Sequence, residues 1–435
     1  MTTRTGRSGA PKNGAAANSF VRRLPRVLGP GLVTGASDDD PSGIATYSQA
    51  GAQYGFSISW TMLFTYPLMT AIQLISAQVG RTTGKGIAAN LREHYPNWTL
   101  QLIVILLVVA NTINIGADIA AVADAIRLLV GGPFLFYVVL CGLLSTILQI
   151  FVPYARYVFV LKWLTLSLFT YFGTILVVHI PWNEALGGLL IPTFSGGAGF
   201  WTMVVAVLGT TISPYLFFWQ ASQEVEDIRA IHQRKPLVKA PSQDPDAIER
   251  IRLDTYVGMA FSNLVGVAII IATAATLHLH GITKVDTSSQ AAEALRPIAG
   301  QFAFVLFALG IIGTGLLAIP VLAGSAAYAF AEARKWPAGL ARKPKAAKAF
   351  YGTITAATLV GALINFSNVD PFNALYWSAV TNGLVAVPVM ATLMHMTANP
   401  KIMGKFRVHD GLRATGWIAT AVMATAAAAM IVSSI

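Results

Sequence analysis

The sequence has little charge. Of its 435 residues only 11% are Asp, Glu, Lys or Arg, against roughly 25% in an average soluble protein. With 55% hydrophobic residues and a mean hydropathy of +0.61, too little polar surface remains to cover a water-soluble globule. The same numbers exclude intrinsic disorder of the whole chain. Glycine is common but follows no Gly-X-Y period, which excludes a collagen-like chain. Cysteine is nearly absent. The lone Cys141 allows no intrachain disulfide and, in an apolar run, reads as a small hydrophobe. There is no HExxH, GxSxG or Walker-type loop, so an enzyme and an ATP-driven pump both lack their chemistry. The seven histidines show no ligand spacing: His278 and His280 are two apart, and His94, His232 and His409 fall in loops. No structural zinc site and no cofactor is expected.

What the chain has is long apolar runs. A spanning helix needs about 20 mostly apolar residues. Eleven candidates lie near 27–57 (interrupted), 59–79, 99–124, 134–152, 157–178, 200–222, 255–277, 302–330, 349–366, 371–397 and 413–433. The expected fold class is therefore an all-α polytopic membrane protein. Thirty Lys and Arg against nineteen Asp and Glu give a formal charge of +11, which in a soluble protein would point to nucleic acid. Placed along the chain, 27 of those 30 cations fall on one side if the N-terminus is cytoplasmic, leaving Arg127, Lys284 and Arg296 on the other. The positive-inside rule then sets N-in, C-out in the cell's inner membrane. The excess charge is accordingly expected to meet anionic lipid heads, not nucleic acid.

Residues 1–26 read as a disordered basic tail. Arg22-Arg23 could mimic a twin-arginine signal, but Gly29, Pro30, Gly31 and three aspartates make a poor signal core. Residues 27–178 and 199–397 form two five-span halves, with 412–435 as an added span. The segment 228–250, with Pro236, Pro241 and Pro245, reads as a mobile cytosolic linker.

Two spans are broken. The first carries Gly35-Ala36-Ser37-Asp38-Asp39-Asp40-Pro41-Ser42-Gly43 at its centre. One carboxylate there costs roughly 2.5–3.5 kcal/mol on insertion scales, so three must face protein, water or a cation. Pro41 forbids a regular helix across them, and Gly35 and Gly43 let the backbone unwind. The sixth span is interrupted by Thr210-Thr211-Ile212-Ser213-Pro214-Tyr215. Breaks in the first and sixth spans are corresponding positions of two five-helix halves. Paired interruptions point to an inverted-repeat secondary transporter with a midplane site, where half-helix ends and carboxylates hold a cation. A channel would need a continuous pore instead.

The residues around the first break resemble a known family. Leu28-Gly29-Pro30-Gly31 followed by Asp40-Pro41-Ser42-Gly43-Ile44-Ala45-Thr46-Tyr47-Ser48-Gln49-Ala50-Gly51 is similar to the first helix of Nramp divalent-metal transporters. Gly80-Arg81-Thr82-Thr83-Gly84-Lys85, Asp254 and Met403-Gly404 look like the family's as well. The resemblance implies a leucine-transporter-like (LeuT-like) fold with helices 1 and 6 broken, and proton-driven uptake of Mn²⁺ or Fe²⁺. It also implies Asp40 as a metal ligand. Four family positions differ. The Asn ligand of the first helix is Gly43, the Met ligand of the sixth is Ser213, its His is Tyr215, and the Glu of the third-helix proton pair is Ala121 beside the retained Asp118. Losing a thioether shifts preference from softer transition metals toward Mg²⁺, Ca²⁺ or Mn²⁺.

Two substrates stay open. A hard, partly hydrated cation would sit near Asp38, Asp39 and Asp40, with Gly43, Thr210 and Ser213 leaving room. A metal chelate such as an iron–siderophore, or an organic solute, would use Tyr47, Tyr215, Phe217, Phe218 and Trp219 as walls. A binding protein that senses without transporting is a third possibility. Asn111, Asn114 and Asp118 form a polar stripe that reads either as an ion path or as helix–helix glue. Asn382 in the tenth span could reach the site from the second half. Glu224, Glu226 and Asp227 are expected to pair with Arg229 and nearby loop cations. The oligomeric state is open.

Overall fold

The computed structural model describes residues 34–35, 37–152, 163–367 and 369–435. The basic tail, the Gly29-Pro30-Gly31 start and the onset of the fifth expected span lie outside the described residues. No strand occurs among those described.

Each element follows from apolar runs punctuated by proline and glycine. After a short helical stretch around 34–38, helix resumes as α1 (Pro41–Tyr54). Then come α2 (Trp60–Thr83), a short amphipathic α3 (Ile87–His94), α4 (Asn97–Val130) and α5 (Phe134–Phe151). α6 (Phe169–Val177) closes the first half, and the second contains α7 (Gly197–Thr211), α8 (Pro214–Ala230) and α9 (Asp244–Thr276). It closes with α10 (Ala303–Ala333), α11 (Lys348–Ile364) and α12 (Pro371–Ala398), and α13 (Asp410–Ser433) follows it. Among the described residues eight helical segments are long and apolar enough to cross a bilayer, with shorter apolar helices at Leu166–Val177 and Lys348–Ile364.

The molecule is apolar on both sides of its helices. α5 exposes Phe136, Leu143, Ile147 and Phe151, a continuous lipid-facing surface of a kind soluble monomers do not display. α1, α7, α8 and α9 turn inward: Tyr47, Tyr215, Phe217, Phe218 and Trp219 are all buried. Small residues let these helices approach. A Cβ on Gly35 would lie 2.3 Å from the Gly258 carbonyl oxygen, and one on Gly209 2.1 Å from that of Ala379. Gly35 is thus a helix-contact position; the unwinding it was expected to allow occurs later.

The segment 228–250 also differs from the expected linker. α8 runs to Ala230 and α9 begins at Asp244. Between them the chain is strapped to the end of α2, where Leu237 and Val238 N–H donate to the Arg81 and Thr82 carbonyls. Leu237 is fully buried, which anchors the strap.

Candidate functional site

The two breaks face each other in the core. Helix ends at Asp38, the chain bends at Asp39 and is extended at Asp40, and helix restarts at Pro41. Proline at the first helical position lacks only an N–H that would be unpaired anyway. Asp40 is the N-cap: its Oδ1 accepts from Gly43 N–H at 2.8 Å and from Ser42 Oγ at 2.6 Å. The second break is as short. α7 stops at Thr211, and Ser213 precedes Pro214 at the first position of α8. Asp40, Asp38, Asp39, Ser213, Thr210 and Tyr215 are all at most 2% exposed.

Asp40 uses both oxygens. Its Oδ2 accepts from Asn114 Nδ2 of α4 at 3.1 Å and, at 3.4 Å, from the Tyr215 hydroxyl of α8. Tyr215 also reaches the Ser37 carbonyl at 3.2 Å, so this one phenol closes α8 over the end of the first half-helix. Asn114 Oδ1 in turn accepts from Ser378 of α12 at 2.7 Å. Asp40 therefore joins α1, α4, α8 and, through Asn114, α12.

Asp38 and Asp39 face another way. Ser262 Oγ of α9 lies 2.6 Å from Asp38 Oδ2 and 3.1 Å from Asp39 Oδ1. Asp38 Oδ1 and Asp39 Oδ2 have no hydrogen-bond partner. The three adjacent aspartates thus split between two sides of the break. Among the described residues no group of three His, Cys, Asp or Glu side chains stands ready to hold a metal ion.

The remaining expected residues are distributed unevenly. Gly43 is helical, and a Cβ there would lie 3.0 Å from Thr210 Oγ1 and 3.4 Å from the Tyr47 ring; its small size sets contact between α1 and α7. Ser213 Oγ donates back to the Gly209 and Thr210 carbonyls at 2.8 and 2.9 Å, padding the proline break. The polar stripe of α4 divides. Asn111 binds the Leu322 carbonyl and Ser325 of α10, as glue, whereas Asn114 belongs to the Asp40 cluster. Asp118 is fully buried with neither oxygen hydrogen-bonded. Asn382 is likewise buried and without a partner, and it is Ser378, one turn earlier, that contacts the cluster. Trp219 packs edge-on against Tyr328, so the aromatic run after the second break is core.

At the cation-rich end, Glu224 pairs with Arg250, Asp227 with Arg234 and Arg250, and Glu226 with Arg229, as expected, although Arg250 lies on α9. Ser262 and Ser378 were missed. Their signal was a lone serine on an apolar helix, which a single sequence does not separate from back-bonding serine.

Comparison with known proteins places these features. The Nramp profile, described as natural resistance-associated macrophage protein-like, matches residues 31–433. The divalent metal cation transporter MntH of Klebsiella pneumoniae strain 342 is 26% identical over 421 residues, covering 94% of both chains. MntH of Deinococcus radiodurans is 23% identical over 421 residues, covering 95% of this chain and 91% of its own. Among solved structures, the Eremococcus coleocola manganese transporter superposes with a TM-score of 0.71 at 16% identity, over 98% of this chain and 88% of that one. Mhp1, a nucleobase-cation-symport-1 family transporter, gives 0.57 at 14% identity, over 93% and 92%. These two likenesses share one fold, the LeuT-like arrangement with its first and sixth helices broken.

Proposed function

The chain belongs to the Nramp family, and we propose on that basis that its paired breaks carry a hard divalent cation of the Mg²⁺, Mn²⁺ and Fe²⁺ class by alternating access. Its MntH relatives are divalent metal cation transporters, and that function fits a buried carboxylate at facing half-helix ends. The observation that carries the finer reading is the set of groups on Asp40. Ser42, Asn114, Tyr215 and the Gly43 N–H surround it, and the position where the family has methionine is Ser213. Oxygen donors without sulfur favour the harder ions of the class.

The close approach of Gly43 to Thr210 supports a small ion over a chelate, since neither side leaves room for an organic ligand without separation of α1 from α7. In the closed arrangement all accepting directions of Asp40 are taken. Metal entry must therefore displace Asn114 or Tyr215, and these two are the residues proposed to exchange with substrate. Asp118, buried and unpaired near this cluster, supports an ion or proton path along α4. The charge distribution supports an inner-membrane orientation with 227–252 and 334–348 in the cytosol.

Uptake into proteoliposomes with Mg²⁺, Mn²⁺ and Ca²⁺ tests this reading. Mg²⁺ and Mn²⁺ should both enter. Asp40→Ala should abolish uptake, a larger effect than the roughly 10–100-fold lost with an outer-shell partner. Unchanged flux in Asp40→Ala, or entry of ferric chelates alone, would refute it.

A further inference from the structure

A cavity of about 470 Å³ lies at the cation-rich end, beside the end of α8 away from its break. It is enclosed by the end of α5 (Leu148–Val152), Gln223 and Glu226 of α8, Pro320 of α10, Tyr351 of α11 and the turn Leu340–Pro344. Its polar groups are unequally satisfied. Glu226 meets Arg229 at 3.2 Å and also accepts from the Ala341 N–H and Tyr328 hydroxyl. Gly339, at φ 145°, lets the turn fold onto this carboxylate; a Cβ there would lie 2.5 Å from Glu226 Oε1. Arg342 adds a more distant attraction to Glu226, but neither it nor Lys343 forms an ion pair among the described residues. Counting Glu226, Arg229, Arg342 and Lys343 together, two positive charges are left over.

Two carboxamides add donors. Gln149 Nε2 and Oε1 and Gln223 Nε2 are shielded from solvent and have no hydrogen-bond partner. Unmade hydrogen bonds of buried amides are costly, and a ligand rich in acceptors would complete them. The wall beside them is apolar and faces lipid. Phe151 is 75% exposed, Ile147 52% and Leu144 42% along the same helix.

We propose that this cavity binds the headgroup of an anionic glycerophospholipid from the membrane leaflet on the cation-rich side. The phosphate takes Arg342, Lys343 and the two amide nitrogens. A headgroup hydroxyl donates to Gln149 Oε1, and the acyl chains run along Leu144, Ile147 and Phe151 of α5. Basic recesses between helices at this depth recognise anionic headgroups, and the exposed apolar strip selects a lipid over free phosphate. The site touches α8, which Arg229 Nη1 ties to the Ala338 carbonyl at 3.0 Å, so a bound headgroup braces this half-helix against the α10–α11 turn. The inference stands independently of which ion is transported.

The test uses the purified full-length protein in detergent, with retained lipid measured by native mass spectrometry after titration with phosphatidylglycerol or phosphatidylcholine. Phosphatidylglycerol should be retained and phosphatidylcholine should not. The Arg342→Gln/Lys343→Gln double variant should retain it about thirty-fold less strongly, at about 1 kcal/mol per cation. Gln149→Leu, which leaves every charge in place, should also weaken retention, while Lys401→Gln/Lys405→Gln should not. Equal retention of the two lipids, or wild-type retention by both cavity variants, overturns the proposal. So does displacement of the lipid by equimolar inorganic phosphate, which would mark a free-anion site. If the double variant does not fold, Gln149→Leu alone decides.

Discussion

Asp40 caps α1 through one oxygen and meets Asn114 and Tyr215 through the other, and two substitutions separate these roles. Asn caps a helix as well as Asp does, so Asp40→Asn removes the charge and keeps the cap. It should lose divalent-cation binding by calorimetric titration and unfold above Asp40→Ala, which loses the cap as well, by about 1 kcal/mol. Tyr215→Phe removes a donor that competes with substrate for Asp40. Its expected effect is about five-fold tighter metal binding, near the net worth of one hydrogen bond. Weaker binding would instead make Tyr215 a ligand. Gly43 is a site of steric fit. Gly43→Asn places a Cβ 3.0 Å from Thr210 Oγ1. It should reduce folded yield in size-exclusion profiles, and Thr210→Ala should restore it.

At the scale of elements, the cation-rich end is closed by charge. Glu224 of α8 is fully buried, and its pair with Arg250 of α9 is what neutralises it. Removing one partner of such a pair leaves an uncompensated charge, at a cost of about 3–5 kcal/mol. Arg250→Met should therefore lower the thermal unfolding midpoint strongly. Glu224→Gln/Arg250→Met should recover most of the loss, because replacing both partners is often nearly neutral. The strap of Leu237 and Val238 over the end of α2 holds the same end. Proline spacing read this stretch as a free linker. What proline spacing cannot reveal is that Leu237 finds a buried slot and that two N–H groups find the unpaired carbonyls that end α2.

At the scale of the whole molecule, the distribution of Lys and Arg predicts which loops lie on each side, and the one cysteine makes it testable. Cys141 is 3% exposed and should react little with a membrane-impermeant maleimide. A cysteine introduced for Asp286 should label in intact cells, and one for Lys345 only after permeabilisation. The reverse pattern would invert the topology. The likeness to the Eremococcus coleocola manganese transporter at 16% identity shows how little of the sequence the fold requires.

The sequence by itself determined the class of the molecule, because composition and periodicity act locally: low charge with long apolar runs can only be satisfied in a bilayer. It also located both breaks, because Pro41 and Pro214 stand among acids, hydroxyls and glycines, whereas Pro67, Pro320 and Pro388, in apolar surroundings, stay inside continuous helices. Only the tertiary structure decided what the exposed backbone and buried acids do. Three adjacent aspartates look equivalent in a sequence. Yet Asp40 turns toward Asn114 and Tyr215, while Asp38 and Asp39 turn toward Ser262, across separations of 74 to 224 residues. Likewise the +11 charge read along the chain records topology, whereas the unpaired Arg342 and Lys343 beside two unsatisfied glutamines become visible only when α5, α8 and the α10–α11 turn meet. Hydrogen bonds between distant helices depend on their packing, and no local pattern encodes them.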